Sequence, residues 1–112
     1  MKLLAFLVLL VVSFSLCTQS NQNVSSQSVK EQAVFSCLKL CKDNPKSLDY
    51  TNGPCLSDSD VDWNMTDWVC DIAHSPRQPV DDLAENQCSE FKTGNAHHFV
   101  EVDLGCNLIK VL

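Results

Sequence analysis

Five polar side chains have the chemistry to form a binding or catalytic site. Asp71, His74 and Arg77 lie together in the stretch WVCDIAHSPRQP, and His98 and Glu101 follow further along the chain. Imidazole and carboxylate groups bind zinc and act as general acids and bases near neutral pH. One hypothesis is therefore a small metal-binding or metal-dependent hydrolytic protein that uses His74 and His98 with a nearby carboxylate.

The alternative for these side chains is a surface without catalytic chemistry. The sequence contains no HExxH or GxSxG motif and no phosphate-binding glycine loop. His97 and His98 are adjacent, so on a strand they point to opposite faces and only one can join a given site. We therefore favour a protein that is not an enzyme, with no catalytic residue, no metal and no cofactor. In this interpretation Asp71 and Arg77 form a structural ion pair that braces a surface loop.

The elements that would position these side chains are two helices and a small sheet. A capping box at Ser28 and Glu31 predicts a first helix that ends at Asn44, and a second box at Asp82 and Glu85 predicts a short second helix. Residues 68–73 are rich in β-formers and predict a central strand that the proline-rich loop ends.

The end of the chain predicts a β-hairpin. Apolar and polar residues alternate over residues 98–104, a turn follows, and residues 108–112 are again extended in character. We predict that Val100, Val102 and Leu104 face the core. The fold class is then α+β, a small disulfide-stapled domain in which two helices pack on a short antiparallel sheet with a C-terminal hairpin.

Six of the seven cysteines predict three disulfides. Cys17 lies at the end of the apolar N-terminal run, and the others follow it: Cys37, Cys41, Cys55, Cys70, Cys88 and Cys106. Fifteen pairings of six cysteines exist, and sequence alone does not choose among them. The predicted helix and strand favour Cys41–Cys55, Cys37–Cys70 and Cys88–Cys106.

The N-terminus predicts export. Residues 1–17 have the anatomy of a signal peptide, with one basic residue and an apolar run that is too short to span a membrane comfortably. Cys17 is a candidate lipidation site, although Leu16 is a poor residue before an acylated cysteine. Residues 18–27 are polar and predict a flexible tether, which leaves residues 28–112 as the disulfide-rich domain. Asn23 and Asn64 begin candidate glycosylation sequons.

The charge of the chain argues against nucleic acid as a partner. The net charge is −6 at pH 7, and the basic residues are scattered rather than clustered. We expect an unknown protein or surface ligand as partner, and membrane contact only through an N-terminal anchor. The expected location is outside the cell, either secreted or at the extracellular face of the membrane.

Four segments together carry a resemblance to a protein group. They are residues 52–57, 67–79, 85–88 and 98–106. In them the chain resembles small, uncharacterised, exported cysteine-rich proteins of archaea. The resemblance implies export and a shared cysteine framework, and it implies no activity. The sequence therefore favours a cell-surface or secreted binding or structural module over the metal-dependent alternative.

Overall fold

The computed structural model describes residues 27–44 and 47–112 of the chain. Helix α1 covers Val29–Asp43 and begins at the predicted capping box. The Glu31 amide donates to Ser28 Oγ at 3.2 Å, and the Ser28 amide donates back to the Glu31 carboxylate at 2.8 Å. The predicted start and end of this helix are confirmed, because the capping interactions are local in sequence.

Three strands form one sheet in the order β1, β2, β3. They cover Trp68–Ile72, His98–Val102 and Leu108–Val111. β1 runs parallel to β2, and β2 runs antiparallel to β3. The predicted all-antiparallel sheet is therefore wrong, because the chain crosses back from the end of β1 to the start of β2 over a long connection, which parallel pairing requires.

The predicted second helix is also wrong. Its residues form two 3₁₀ turns, Pro79–Asp82 and Ala84–Asn86, and a one-turn helix α3 at Ser89–Lys92. Leu83, between the two residues of the predicted capping box, has an extended backbone and is 46% exposed. A further short helix α2 occupies Leu56–Ser59, where no helix was predicted. The described residues thus hold three α-helices of which only α1 is long.

The main core lies between α1 and one face of the sheet. Val100 and Val102 are fully buried there, as predicted, and Leu104 is partly buried against the same cluster. The buried members of this core are Ala33, Cys37, Leu40, Cys41, Leu56, Trp68, Cys70, Ile72, Val100 and Val102. A smaller cluster on the opposite face contains Val69, Cys88 and, at its margin, Phe99.

Three disulfides join these layers. Cys37–Cys70 is confirmed and ties α1 to β1. The other two predicted bonds are wrong, since the structure pairs Cys41 with Cys106 and Cys55 with Cys88. The parallel sheet and the missing second helix explain the error, because they bring the turn after β2 beneath α1 and leave Cys88 beside β1. Three disulfides indicate an oxidising environment outside the cytoplasm.

The predictions for the N-terminus fall on residues outside the described part. These are the signal peptide at residues 1–17 with Cys17, the sequon at Asn23, and the tether except for Gln27. Asn64 is described and is exposed, as a glycosylation site must be. Within residues 27–44 and 47–112, no helix has the length and apolar character needed to cross a membrane.

Gly53 occupies a position where we expect a side chain to be destabilising. Its φ is +63°, and a Cβ would lie 2.6 Å from Asp81 Oδ1 and 3.0 Å from the Ile72 carbonyl oxygen. Gly53→Ala should lower the free energy of unfolding by about 2 kcal/mol or more, from backbone strain and displacement of Asp81. Gly94→Ala is the matched control, since Gly94 has φ +82° with no atom within 4 Å and should show only the strain. Urea unfolding compares the two, and equal losses would contradict the tight contact with Asp81.

Candidate functional site

An open cleft of about 400 Å³ lies on the face of the sheet that α1 does not cover. Its volume is within the range of small-molecule sites in proteins. The lining combines charged groups with aromatic and apolar groups, and it consists of Val69, Asp71, Arg77, Gln87, Cys88, Phe91, Phe99, Glu101 and Lys110.

The register of the sheet explains why these residues meet. In the parallel pair, Asp71 lies beside Glu101 and Val69 lies beside Phe99. In the antiparallel pair, Glu101 lies beside Lys110. Because side chains alternate along a strand, the odd-numbered residues of β1 and β2 share the face opposite the main core. Three separate segments thus supply one row of acidic and basic groups.

Asp71 is the most unusual group in the cleft. Its Oδ1 atom is buried and has no hydrogen-bond partner among the described residues. Burial, reinforced by the neighbouring Glu101 carboxylate, raises the pKa of Asp71 to about 8. The Asp71 carboxyl group is therefore mainly protonated at neutral pH, and it can both donate and accept a hydrogen bond.

Arg77 reaches over the cleft from the proline loop, residues 73–78 after β1, but it does not pair with Asp71. Its Nε donates to Asp82 Oδ1 and its Nη1 donates to Glu101 Oε2, each at 2.9 Å. The predicted ion pair between Asp71 and Arg77 is therefore wrong, because Arg77 pairs with Asp82 and Glu101 instead. The Glu101 side chain is 12% exposed, so its charge is partly compensated by Arg77 rather than by water.

His74 lies outside this cleft and is bound to Asp81, which the sequence analysis did not single out. His74 Nδ1 is 2.9 Å from Asp81 Oδ1, and the amides of His74 and Gln78 donate to Asp81 Oδ2. Burial acts to raise the pKa of Asp81, but these hydrogen bonds outweigh it and hold the pKa below its ordinary value. Pro79 followed by acidic residues is typical of a first helical turn, and this signal could have identified Asp81.

His98 lies at the other end of the sheet from His74. It stacks on Trp68, with ring centroids 4.6 Å apart, at the start of the two parallel strands. His74 follows the end of β1, so at about 3.3 Å per residue the two histidines are separated by more than 10 Å. They therefore do not share a site in this fold. The metal-dependent hypothesis needed both histidines on one metal ion, and this arrangement does not bring them together.

One grouping of metal-ligating residue types does occur within the described part of the chain. It consists of Cys55, Asp71 and Cys88, with ligand atoms within 4.8 Å of one another. The two sulfur atoms are bonded to each other, so they are not thiolate ligands in this structure.

The apolar side of the cleft is aromatic. Phe91 and Phe99 meet edge to face with centroids 5.2 Å apart, and the Lys110 ammonium lies 5.7 Å from the centre of the Phe99 ring. None of these three residues was predicted as a site residue, and no local signal in the sequence marks them as such.

Comparison with known proteins identifies no family for this chain. No family model, no curated protein and no solved structure matches it. The resemblance to exported archaeal proteins therefore stays a prediction. A proposal for the function of this chain has to be based on the chemistry of the cleft.

The cleft can bind a ligand that is partly apolar and partly polar. Phe91 and Phe99 offer aromatic surface, whereas Asp71 offers a buried carboxyl group. Arg77 and Glu101 partly neutralise each other. The described lining thus combines an apolar wall with one buried hydrogen-bonding atom, Asp71 Oδ1, that lacks a partner among the described residues.

Proposed function

We propose that the protein is an exported binding module, secreted or held at the extracellular face of the membrane, and that the Asp71 cleft is its binding site. The unpartnered buried oxygen of Asp71 carries this proposal. A buried polar atom without a hydrogen bond costs about 1–3 kcal/mol, and a ligand with a matching donor would recover that free energy. Three disulfides support a location outside the cytoplasm.

The ligand class follows from the two sides of the cleft. An aromatic or aliphatic group packs against Phe91 and Phe99, and a neutral polar head meets Asp71. A protonated carboxyl group donates one hydrogen bond and accepts another, which matches an amide or a hydroxyl group. The natural ligand is thus a small amphipathic molecule or an aromatic side chain with its peptide group.

A blocked aromatic amino acid, N-acetylphenylalanine amide, is a suitable probe of this site. We expect it to shift the amide resonances of cleft residues in ¹⁵N-labelled protein at pH 6.5, with a dissociation constant in the millimolar range for so small a ligand. Asp71→Leu and Phe91→Ala should each weaken binding by about fivefold or more, since each removes one side of the site.

Phe35→Ala is the matched control, because Phe35 is 64% exposed on α1 and lies away from the cleft lining. It should leave binding unchanged. Resonance shifts that cluster elsewhere, or equal affinity in all variants, would contradict the proposed site.

A further inference from the structure

The Cys55–Cys88 disulfide has polar neighbours that set it apart from the other two. An Asp71 carboxyl oxygen lies within 4.8 Å of both sulfur atoms, and this is the one such grouping in the part of the chain that the structure describes. Cys106 is the most exposed of the bonded cysteines, but no carboxylate or imidazole among the described residues comes that close to both sulfur atoms of its bond. Cys88, although only 3% exposed, also lines the cleft, whereas Cys37 and Cys70 are 0% exposed in the main core.

The same surroundings suit the reduced form of this pair. The Cys70 carbonyl oxygen lies 3.5 Å from each sulfur, so either thiol would find an acceptor in place. Ser57 Oγ lies 3.4 Å from Cys55 Sγ and 3.8 Å from Cys88 Sγ. Because Ser57 Oγ already accepts from the Cys70 amide, its own proton is free to point toward a sulfur. Reduction would therefore leave neither thiol without a hydrogen-bonding partner.

We propose that the Cys55–Cys88 disulfide exchanges with dithiols that enter the cleft, and that Asp71 is the proton donor and acceptor for the exchange. This activity does not depend on the binding of amphipathic ligands proposed above. Dithiols on a partner protein or a small molecule are the co-reactants, and they supply two electrons.

The exchange begins when a thiolate of the co-reactant attacks Cys88 Sγ from the cleft. A bond forms between the incoming sulfur and Cys88 Sγ, the Cys55–Cys88 bond breaks, and its electron pair goes to Cys55 Sγ. The Asp71 carboxyl proton moves to the Cys55 thiolate. The second thiol of the co-reactant then transfers its proton to the Asp71 carboxylate and displaces Cys88 as a thiolate, which takes a proton from solvent. The co-reactant leaves as a disulfide, and the protein is left as a dithiol.

The charged groups around Asp71 balance one another, so they do not repel an incoming thiolate. They are the acidic Glu101 on β2 and Asp81 in the 3₁₀ turn at Pro79–Asp82, and the basic Lys110 on β3 and Arg77 on the proline loop. The lining residues next to and within α3, Gln87 and Phe91, are uncharged. Burial keeps the pKa of Asp71 near 8, so at neutral pH the carboxyl group neither repels an anionic thiolate nor lacks a proton to give.

The test follows each disulfide separately during reduction of the full chain by dithiothreitol. Samples are quenched in acid, alkylated and mapped by mass spectrometry, and rates are divided by the thiolate concentration. We expect Cys55–Cys88 to be reduced about tenfold faster than the other two at pH 7, since general acids commonly contribute that much or more. The normalised rate should fall by about tenfold between pH 7 and pH 9.5 as Asp71 loses its proton.

Asp71→Asn should remove both the rate advantage and the fall with pH, whereas Asp62→Asn, on an exposed loop, should behave as the wild type. A second pair of variants tests the attacked sulfur. Cys55→Ser should form a mixed disulfide with oxidised glutathione at Cys88 faster than Cys88→Ser does at Cys55. Reduction of all three disulfides at one common rate, or a pH profile that Asp71→Asn does not change, would overturn the proposal.

Discussion

Asp71→Asn should make the protein more stable than the wild type at pH 9 by several kcal/mol. In the unfolded chain an aspartate loses its proton near pH 3.9, whereas in the folded protein the pKa of Asp71 is about 8. Between these values the folded state holds a proton that the unfolded state has released, so the stability of the wild type falls as the pH rises. Each pKa unit corresponds to about 1.4 kcal/mol, and an amide carries no such penalty.

The measurement is urea unfolding with intact disulfides at pH 5, 7 and 9. The advantage of Asp71→Asn should be small at pH 5 and grow until about pH 8. Asp81 has a lowered pKa, so its contribution is lost only as the pH falls below about 4. The chosen range therefore excludes the contribution of Asp81. Asp62→Asn serves as the control for removal of a carboxylate, and a constant difference across the range would show that Asp71 ionises normally in the folded protein.

The features that the sequence predicted correctly are local ones. The Ser28 and Glu31 side chains bond to each other's amides, so four residues are enough to locate the start of α1. β1 follows from its own β-forming residues. The Cys37–Cys70 bond follows because it needs only these two elements to face each other.

The features that were missed depend on pairing between distant segments. No residue in β1 or β2 specifies a parallel neighbour, since the same alternation suits either direction. The second capping box was overridden because Cys88 is held by Cys55 and because Asp81 organises the preceding turn. Local propensity gives way where tertiary contacts fix the chain.

The candidate site was predicted in part for the same reason. Asp71, Arg77 and Glu101 do line one cleft, but the expected ion pair assumed that neighbours in sequence would bond. The parallel register instead puts Glu101 closer to Arg77, and it separates His74 from His98. Lys110 enters the site only through the pairing of β3 with β2.

Removal of the Cys37–Cys70 disulfide should destabilise the protein more than removal of the Cys55–Cys88 disulfide, although the two bonds close loops of equal length. Cys37–Cys70 and Cys55–Cys88 both span a sequence separation of 33, so the entropy lost by cross-linking the unfolded chain is the same for each. A difference between the two losses of unfolding free energy therefore reports on packing around the bonds. The Cys37 and Cys70 side chains are fully buried in the main core, whereas Cys55 and Cys88 are buried in the smaller cluster, where Cys88 also lines the cleft.

We expect a large difference in unfolding free energy because the Cys37–Cys70 bond attaches α1 to the sheet. The buried side chains of α1 are Ala33, Cys37, Leu40 and Cys41, and only one of them is a large aliphatic group. Replacement of Cys37 and Cys70 by alanine leaves a cavity at the centre of this contact and removes one of its two covalent links. We expect a loss of about 3–5 kcal/mol, against about 2–3 kcal/mol for the double alanine variant of Cys55 and Cys88.

Urea unfolding gives the two free energies, and hydrogen exchange locates the effect. In the variant without Cys37–Cys70, amides of α1 should exchange much faster than those of β2, because the helix is held by Cys41–Cys106 near its end and by little apolar surface. In the variant without Cys55–Cys88, α1 should stay protected. Equal free energies with equal protection of α1 would mean that packing around Leu40, and not the disulfide, holds the helix on the sheet.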